Sequence, residues 1–183
     1  REDFMKKVLL TFATLLMLLF ATTAHASIIS NGSFDNGLDG WNPGLLGGPV
    51  WDSQKQAAVF GHGSLDAVNQ SLSQTFYIAP GTKSLELSFD LTIKKSVFYA
   101  AVSSFTVMFN SFDLGFNDFM LYNWNSVDDD SVTATITKTL DFNFLIGLPA
   151  NAAIFFNFAA ASGLGTASVL LDNVVLGPLS PAV

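Results

Sequence analysis

Ser84-Leu85-Glu86-Leu87-Ser88-Phe89-Asp90-Leu91-Thr92-Ile93-Lys94 decides the fold class. Apolar residues take every second position from Leu85 to Ile93, and serine, threonine, acids and lysine take the rest. A period of two lays one face on a core and leaves the other in water, which is a half-buried strand. Val132, Ala134, Ile136, Leu140 and Phe142 repeat the pattern, broken only at Lys138, opposite Ser131, Thr133, Thr135, Thr137, Thr139 and Asp141. One wet and one dry face imply antiparallel pairing.

Shorter runs rich in aromatic or branched residues recur at 57–60, 72–78, 97–109, 119–124, 152–159 and 168–176, most of them separated by Gly, Pro, Asn or Asp. The 97–109 and 152–159 runs are apolar on both faces, as central strands covered on each side would be. No stretch beyond residue 26 combines a 3.6-residue stripe with caps. The expectation is an all-β domain of two packed antiparallel sheets, a β-sandwich, in preference to a small closed barrel.

The start of the chain reads as an export signal. Met5-Lys6-Lys7 is basic, residues 8–21 are apolar apart from Thr11 and Thr14, and Ala24-His25-Ala26 supplies small residues for cleavage. The apolar stretch is shorter than the ~20 residues of a spanning helix. The expected organisation is a signal peptide with upstream residues over 1–26, a sandwich domain over 27–177 and a C-terminal tail over 178–183. The expected location is secreted or at the cell surface, with no stable membrane span in the mature chain.

Cleavage after Ala26 would leave thirteen acids against five lysines and no arginine. That balance repels nucleic acid and removes bidentate guanidinium recognition of phosphate. There is no cysteine, which excludes disulfides and thiolate sites.

Two motifs stand at the ends of the domain. Asn31-Gly32-Ser33-Phe34-Asp35-Asn36-Gly37-Leu38-Asp39-Gly40-Trp41 is polar and turn-prone, with Phe34 and Trp41 as anchors for the core. Leu170-Leu171-Asp172-Asn173-Val174-Val175-Leu176 sets an aspartate in a hydrophobic strand, where it needs a partner. Together these stretches resemble the start and end of jelly-roll carbohydrate-binding modules of families four and nine and of galactose-binding-like sandwiches. The resemblance implies a jelly roll whose first and last strands are neighbours, with Asp35 and Asp172 sharing a structural Ca²⁺ completed by backbone carbonyls. Calcium suits such a pair because it takes six to eight oxygens in tolerant geometry. The alternative is an Asx-turn at Asp35 and backbone N–H donation to Asp172, with no metal. The signal, the sandwich and the Pro-containing tail also resemble exported PEP-CTERM proteins. The sequence stops at Val183 without the Pro-Glu-Pro signal, which leaves a truncated member or plain secretion as the two readings.

Candidate chemistry is sparse. His62 lies beside Ser64 and Asp66, but no Gly-x-Ser-x-Gly elbow accompanies them. Glu86 and Asp90 share a strand face, the only arrangement that suggests a glycan hydrolase. Asp128-Asp129-Asp130 reads as a hydrated turn or a second calcium contact. Sugar rings stack on aromatics while amides and carboxylates take their hydroxyls, so Trp51, Tyr122 and Trp124, each beside a polar residue, are the expected ligand-binding platform. The threonine row from Thr133 to Thr139 lacks a recognisable partner row. The leading expectation is a secreted, non-catalytic protein that binds extracellular polysaccharide or sits among it as a matrix element. A glycan hydrolase and a purely structural surface protein are the alternatives.

Overall fold

The computed structural model describes residues 27–61, 68–95, 102–111, 113, 116–142, 150–161 and 167–179. The expected signal peptide, the His62, Ser64 and Asp66 group, and the tail from Ser180 onward lie outside the described residues.

Ten strands form two five-stranded antiparallel sheets, and no α-helix occurs among the described residues. In chain order they are β1 (Asn42–Pro43), β2 (Val50–Asp52), β3 (Ala57–Phe60), β4 (Val68–Ile78), β5 (Ser84–Lys94), β6 (Ser103–Ser111), β7 (Phe116–Asn125), β8 (Val132–Asp141), β9 (Ala150–Ala160) and β10 (Ser168–Pro178). The first sheet runs β1-β4-β9-β6-β7 and the second β2-β3-β10-β5-β8. This is a β-sandwich of jelly-roll type. β10 reaches one residue past the expected domain end, because Pro178 still pairs with Leu85.

The alternation of Ser84–Lys94 does what its period requires. Leu85, Leu87, Phe89, Leu91 and Ile93 are buried while the intervening residues face out. Between the sheets they meet Phe105, Val107, Phe109, Ile154, Phe156 and Phe158. Aromatic edges lock the layers together: Phe89 meets Phe156 at 5.5 Å between centroids, and Phe60 meets Phe105 at 5.6 Å.

β9 and β6 are interior strands of the first sheet, as their apolar character suggests, but they are covered on one side only. Ala153, Phe155 and Met108 point away from the core and are half-buried, with no element of the described chain laid over them.

The polar opening stretch closes one edge of the sandwich. Asn31 Nδ2 donates to the carbonyls of Gly37 (3.1 Å) and Asp39 (2.9 Å), and Asn31 Oδ1 accepts the Asn36 N–H at 3.2 Å. The loop so formed drives Phe34 into the core, where it stacks on Trp41 at 5.5 Å. Gln74, inward-facing and 4% exposed, ties this segment to β4. Its Oε1 accepts the Ser30 N–H at 2.7 Å, and its Nε2 donates to the Ser30 and Gly40 carbonyls at 2.9 and 3.0 Å.

Gln74→Ala removes three side-chain bonds to part-buried main-chain groups of Ser30 and Gly40, at about 0.5–1 kcal/mol each, so a loss on the order of 2 kcal/mol is expected in urea unfolding. Ser73→Ala, next door on the solvent face, should shift the midpoint little.

Candidate functional site

Asp172 lies on the outer face of the second sheet, at a bulge. Asp172 pairs with Asp90 and Val175 with Ser88, so an extra residue sits in β10 between them, and Asn173 takes a left-handed φ of 49°. Such a bulge turns two successive side chains outward. Leu171 and Val174 both stay in the core while Asp172 and Asn173 face out. The carboxyl is half-buried and partnered. Its Oδ1 accepts the Asn173 N–H at 2.7 Å. Asn173 Nδ2 donates to Asp90 Oδ2 at 2.8 Å, and Thr135 Oγ1 donates to Asp90 Oδ1 at 2.5 Å.

The opening segment runs beside this bulge. Ile28 N–H donates to the Leu176 carbonyl at 2.6 Å and Val174 N–H to the Gly32 carbonyl at 2.9 Å. Burial raises the Asp172 pKa above the ordinary carboxylate value, and the charges of Asp90 and Asp35 push it further. The hydroxyl of Thr135, and then the amide of Asn173, hold Asp90 below that value. Asp35 Oδ2 accepts from Ser33 Oγ at 2.7 Å. Among the described residues no three acidic or imidazole side chains gather as a metal cage, and the one ion pair, Lys55–Asp52, lies elsewhere. A hard cation here would have to take most of its oxygens from backbone carbonyls.

The expected aromatic platform does not assemble. Trp124 is 1% exposed, and its Nε1 donates to the Asp130 carbonyl at 2.8 Å. It is a core residue with no face to offer, because its strand position pairs with inward Phe105. Tyr122 packs edge-on against Phe89 at 6.1 Å, also toward the core, where burial and the Asp129 charge raise its hydroxyl pKa. Trp51 alone is substantially exposed, at 38%. The three aspartates after Trp124 form a bonded turn: Asp129 Oδ2 accepts the Asn125 N–H at 2.8 Å. Glu86 and Asp90 sit on the outer face of β5, Glu86 exposed and Asp90 committed to Thr135 and Asn173. The threonines of β8 have polar neighbours after all, since Thr133 pairs with Thr92 and Thr137 with Ser88.

The residues that sequence alone did not single out lie on the outer face of the first sheet. Register aligns Ser73, Phe155, Met108 and Met120 in one row across four strands, and Ser71, Asn157, Thr106 and Asn123 in the next. Each row spans about 14 Å at the ~4.8 Å spacing of strands. Asn157, Thr106 and Asn123 make no side-chain hydrogen bond to the described residues. Tyr77 and Met120 are about half exposed at 55% and 57%. Asp118 is the only charged residue in the five strands of this sheet. The second sheet carries Asp52, Glu86, Asp90, Lys94, Lys138, Asp141 and Asp172. The available signal was the asparagines alternating with apolar residues in ANAAIFFNFAA.

A jelly-roll sandwich with one sparsely charged, partly apolar outer face is the class these elements define. Solved structures similar to the chain include carbohydrate-binding modules. One is a family 61 module in complex with β-1,4-galactotriose (13% identity, 84% of this chain and 99% of that one, TM-score 0.48). Another is the N-terminal cellulose-binding domain of Cellulomonas fimi β-1,4-glucanase C (15%, 86% and 100%, 0.48), and a third is a family 28 module specific for non-crystalline cellulose (13%, 85% and 97%, 0.47). The sequence matches no protein-family model and no curated relative. Likeness at this level leaves function to be read from the chain's own residues.

The raised pKa of Asp172 fixes the sign of a pH effect. Its contribution to stability is full below the unfolded carboxylate value of about 4 and is lost as pH rises through the higher folded value. In EDTA, Asp172→Asn should therefore melt higher than the parent at pH 7, with the difference closing at pH 3. Melting curves at both pH values check it.

Proposed function

We propose that the chain is an exported, non-catalytic module that binds uncharged polysaccharide across the outer face of its first sheet. The observation that carries this reading is the row of Phe155, Met108 and Met120 flanked by Asn157, Thr106 and Asn123 on a face almost free of charge. Stacked C–H faces of sugar rings suit the apolar row, and free amides and hydroxyls suit their hydroxyl groups. A face meant only for water would be expected to carry lysine and glutamate, as exposed surfaces usually do.

Calcium at Asp35 and Asp172 belongs to the same reading as a structural ion. It would offset the mutual repulsion of Asp172, Asp90 and Asp35 and bind the opening loop to β10. The paired end motifs favour families four and nine within the class of carbohydrate-binding modules. The signal-like residues 1–26 support export, to the medium or to a PEP-CTERM-type surface destination. No helix among the described residues is long and apolar enough to cross a membrane.

Affinity electrophoresis through gels containing neutral glucan, xylan or galactan tests the binding. Retardation by at least one of them is expected, weakened about tenfold, roughly 1.4 kcal/mol, by Phe155→Ala or Asn157→Ala. Migration unchanged in every gel, or a face occupied by a second copy in sedimentation, would overturn it. For the ion, calcium should raise the melting temperature of the parent and EDTA reverse the gain, while Asp172→Asn responds to neither.

A further inference from the structure

The strands that end the two sheets are not alike. β1 and β2 are two and three residues long, and β7 slips twice in its register with β6. Very short strands and bulges are common ways of keeping an edge from pairing with another chain. β8 has neither. Its ten residues pair with β5 in unbroken register from Val132 to Asp141, without proline or glycine.

The ladder fixes which groups this edge presents. Just past β8, Phe142 N–H donates to the Lys83 carbonyl at 2.7 Å. In an antiparallel pair such bonds join every second pair of opposed residues. The even-numbered residues of β8 therefore turn their main-chain groups to β5, and Thr133, Thr135, Thr137 and Thr139 turn theirs to the open side. Those groups make no hydrogen bond to the described residues. Between them, Ala134 and Ile136 lie opposite buried Leu91 and Phe89, in the inward phase, yet Ala134 is exposed and Val132, Ile136 and Lys138 are only half-buried. β8 thus overhangs the core and leaves room beside it for another strand.

We propose that β8 pairs antiparallel with β8 of a second copy about a two-fold axis through Ile136, which joins the two second sheets edge to edge. In this register the strand complements itself. Thr137 and Thr139 meet Thr135 and Thr133 of the second copy and exchange the main-chain bonds that face the open side. Ile136 meets its own counterpart, Leu140 meets Val132, and Lys138 meets Ala134, so no like charges are opposed. An inward lysine is the one guard this edge carries. The small Ala134 opposite leaves the lysine stem room to carry its ammonium to water, whereas an axis through Lys138 would set two ammoniums face to face. The axis stands perpendicular to the sheet, so the outer faces of both first sheets look the same way. The pairing does not rest on the glycan reading; its consequence under that reading is that one polymer meets the dimer at two places.

Sedimentation velocity at rising micromolar concentration should show the parent passing from monomer to dimer. Hydrogen exchange followed by NMR reads the edge itself: the amides of Thr133, Thr135, Thr137 and Thr139 should slow together as the dimer forms. Ala134→Lys, at an exposed position, should weaken the dimer about tenfold by facing Lys138 of the second copy, and Ala134→Glu should tighten it by a similar factor. Phe155→Ala should leave it intact. A parent that stays monomeric throughout would overturn the pairing and leave the glycan reading standing. So would a dimer whose edge amides stay fast, or one in which the two Ala134 variants behave alike. A dimer lost with Phe155→Ala would place the second copy on the face of the first sheet and overturn both.

Discussion

The pairing of the opening residues with the last strand is the constraint on which the rest of the molecule depends. β3 accompanies β10 only over Val169–Leu171, and beyond the bulge that side of β10 is taken by Ile28 and Gly32. The fit is close: a Cβ on Gly32 would sit 1.8 Å from the Val174 carbonyl oxygen. No other residue allows the backbones to approach so far. Past this seam the chain must reverse at once, and Asn31 does so with a φ of 48° and its amide bonded to three main-chain groups. Phe34 follows with a φ of 52°, a strained conformation for a bulky residue that costs on the order of 1–3 kcal/mol. Complete burial of its ring against Trp41 offsets that cost.

The same seam creates the electrostatic character of the second sheet. Shifting the phase of β10 keeps Leu171 and Val174 inside, and the residue left over is an outward aspartate facing Asp90 across the ladder. Directly opposed like charges destabilise an antiparallel pair. Asn173 and Thr135 moderate the repulsion by donating to Asp90, but nothing cationic reaches Asp172 among the described residues. Charge is thus concentrated on one sheet and nearly absent from the other. Solubility can be carried by the charged face and the overall balance of −7. The neutral face is then free for contacts that a lysine or glutamate would obstruct.

How far the sequence disclosed this follows from which interactions are local. Alternation along Ser84–Lys94 and Val132–Asp141 depends on neighbours two residues apart, so those strands and the all-β class could be read directly. Phe34 and Trp41 were legible as core because their polar surroundings left them little else to do. Trp124 was misjudged because Asn123 and Asn125 beside it suggested a wet strand. The inward phase of Trp124 is set by its register with Phe105, which no local pattern reveals. Phe155, Met108 and Met120 were missed for the converse reason. Phe155 and Met108 belong to runs that look apolar on both faces, Met120 to a short aromatic-rich run, and only the strand order β9-β6-β7 shows that no layer covers them. Asp35 and Asp172, far apart in sequence, were linked by motif resemblance and not by any physical rule.

An uncovered apolar row also bears on how strongly such a face can bind. The row is short, its members are half-exposed and the flanking groups are uncharged, so no single contact carries the energy of a desolvated ion pair. Binding of one short oligosaccharide must also overcome the loss of translational and rotational freedom. A long polymer changes the balance, because neighbouring stretches of one chain present the same ligand again at high local concentration. Anionic polymers gain nothing from this arrangement: the chain is acidic overall, no arginine occurs among the described residues, and the lysines within its strands lie on the second sheet. The first sheet's outer face therefore suits the neutral, repetitive polymers proposed as its ligand better than charged ones.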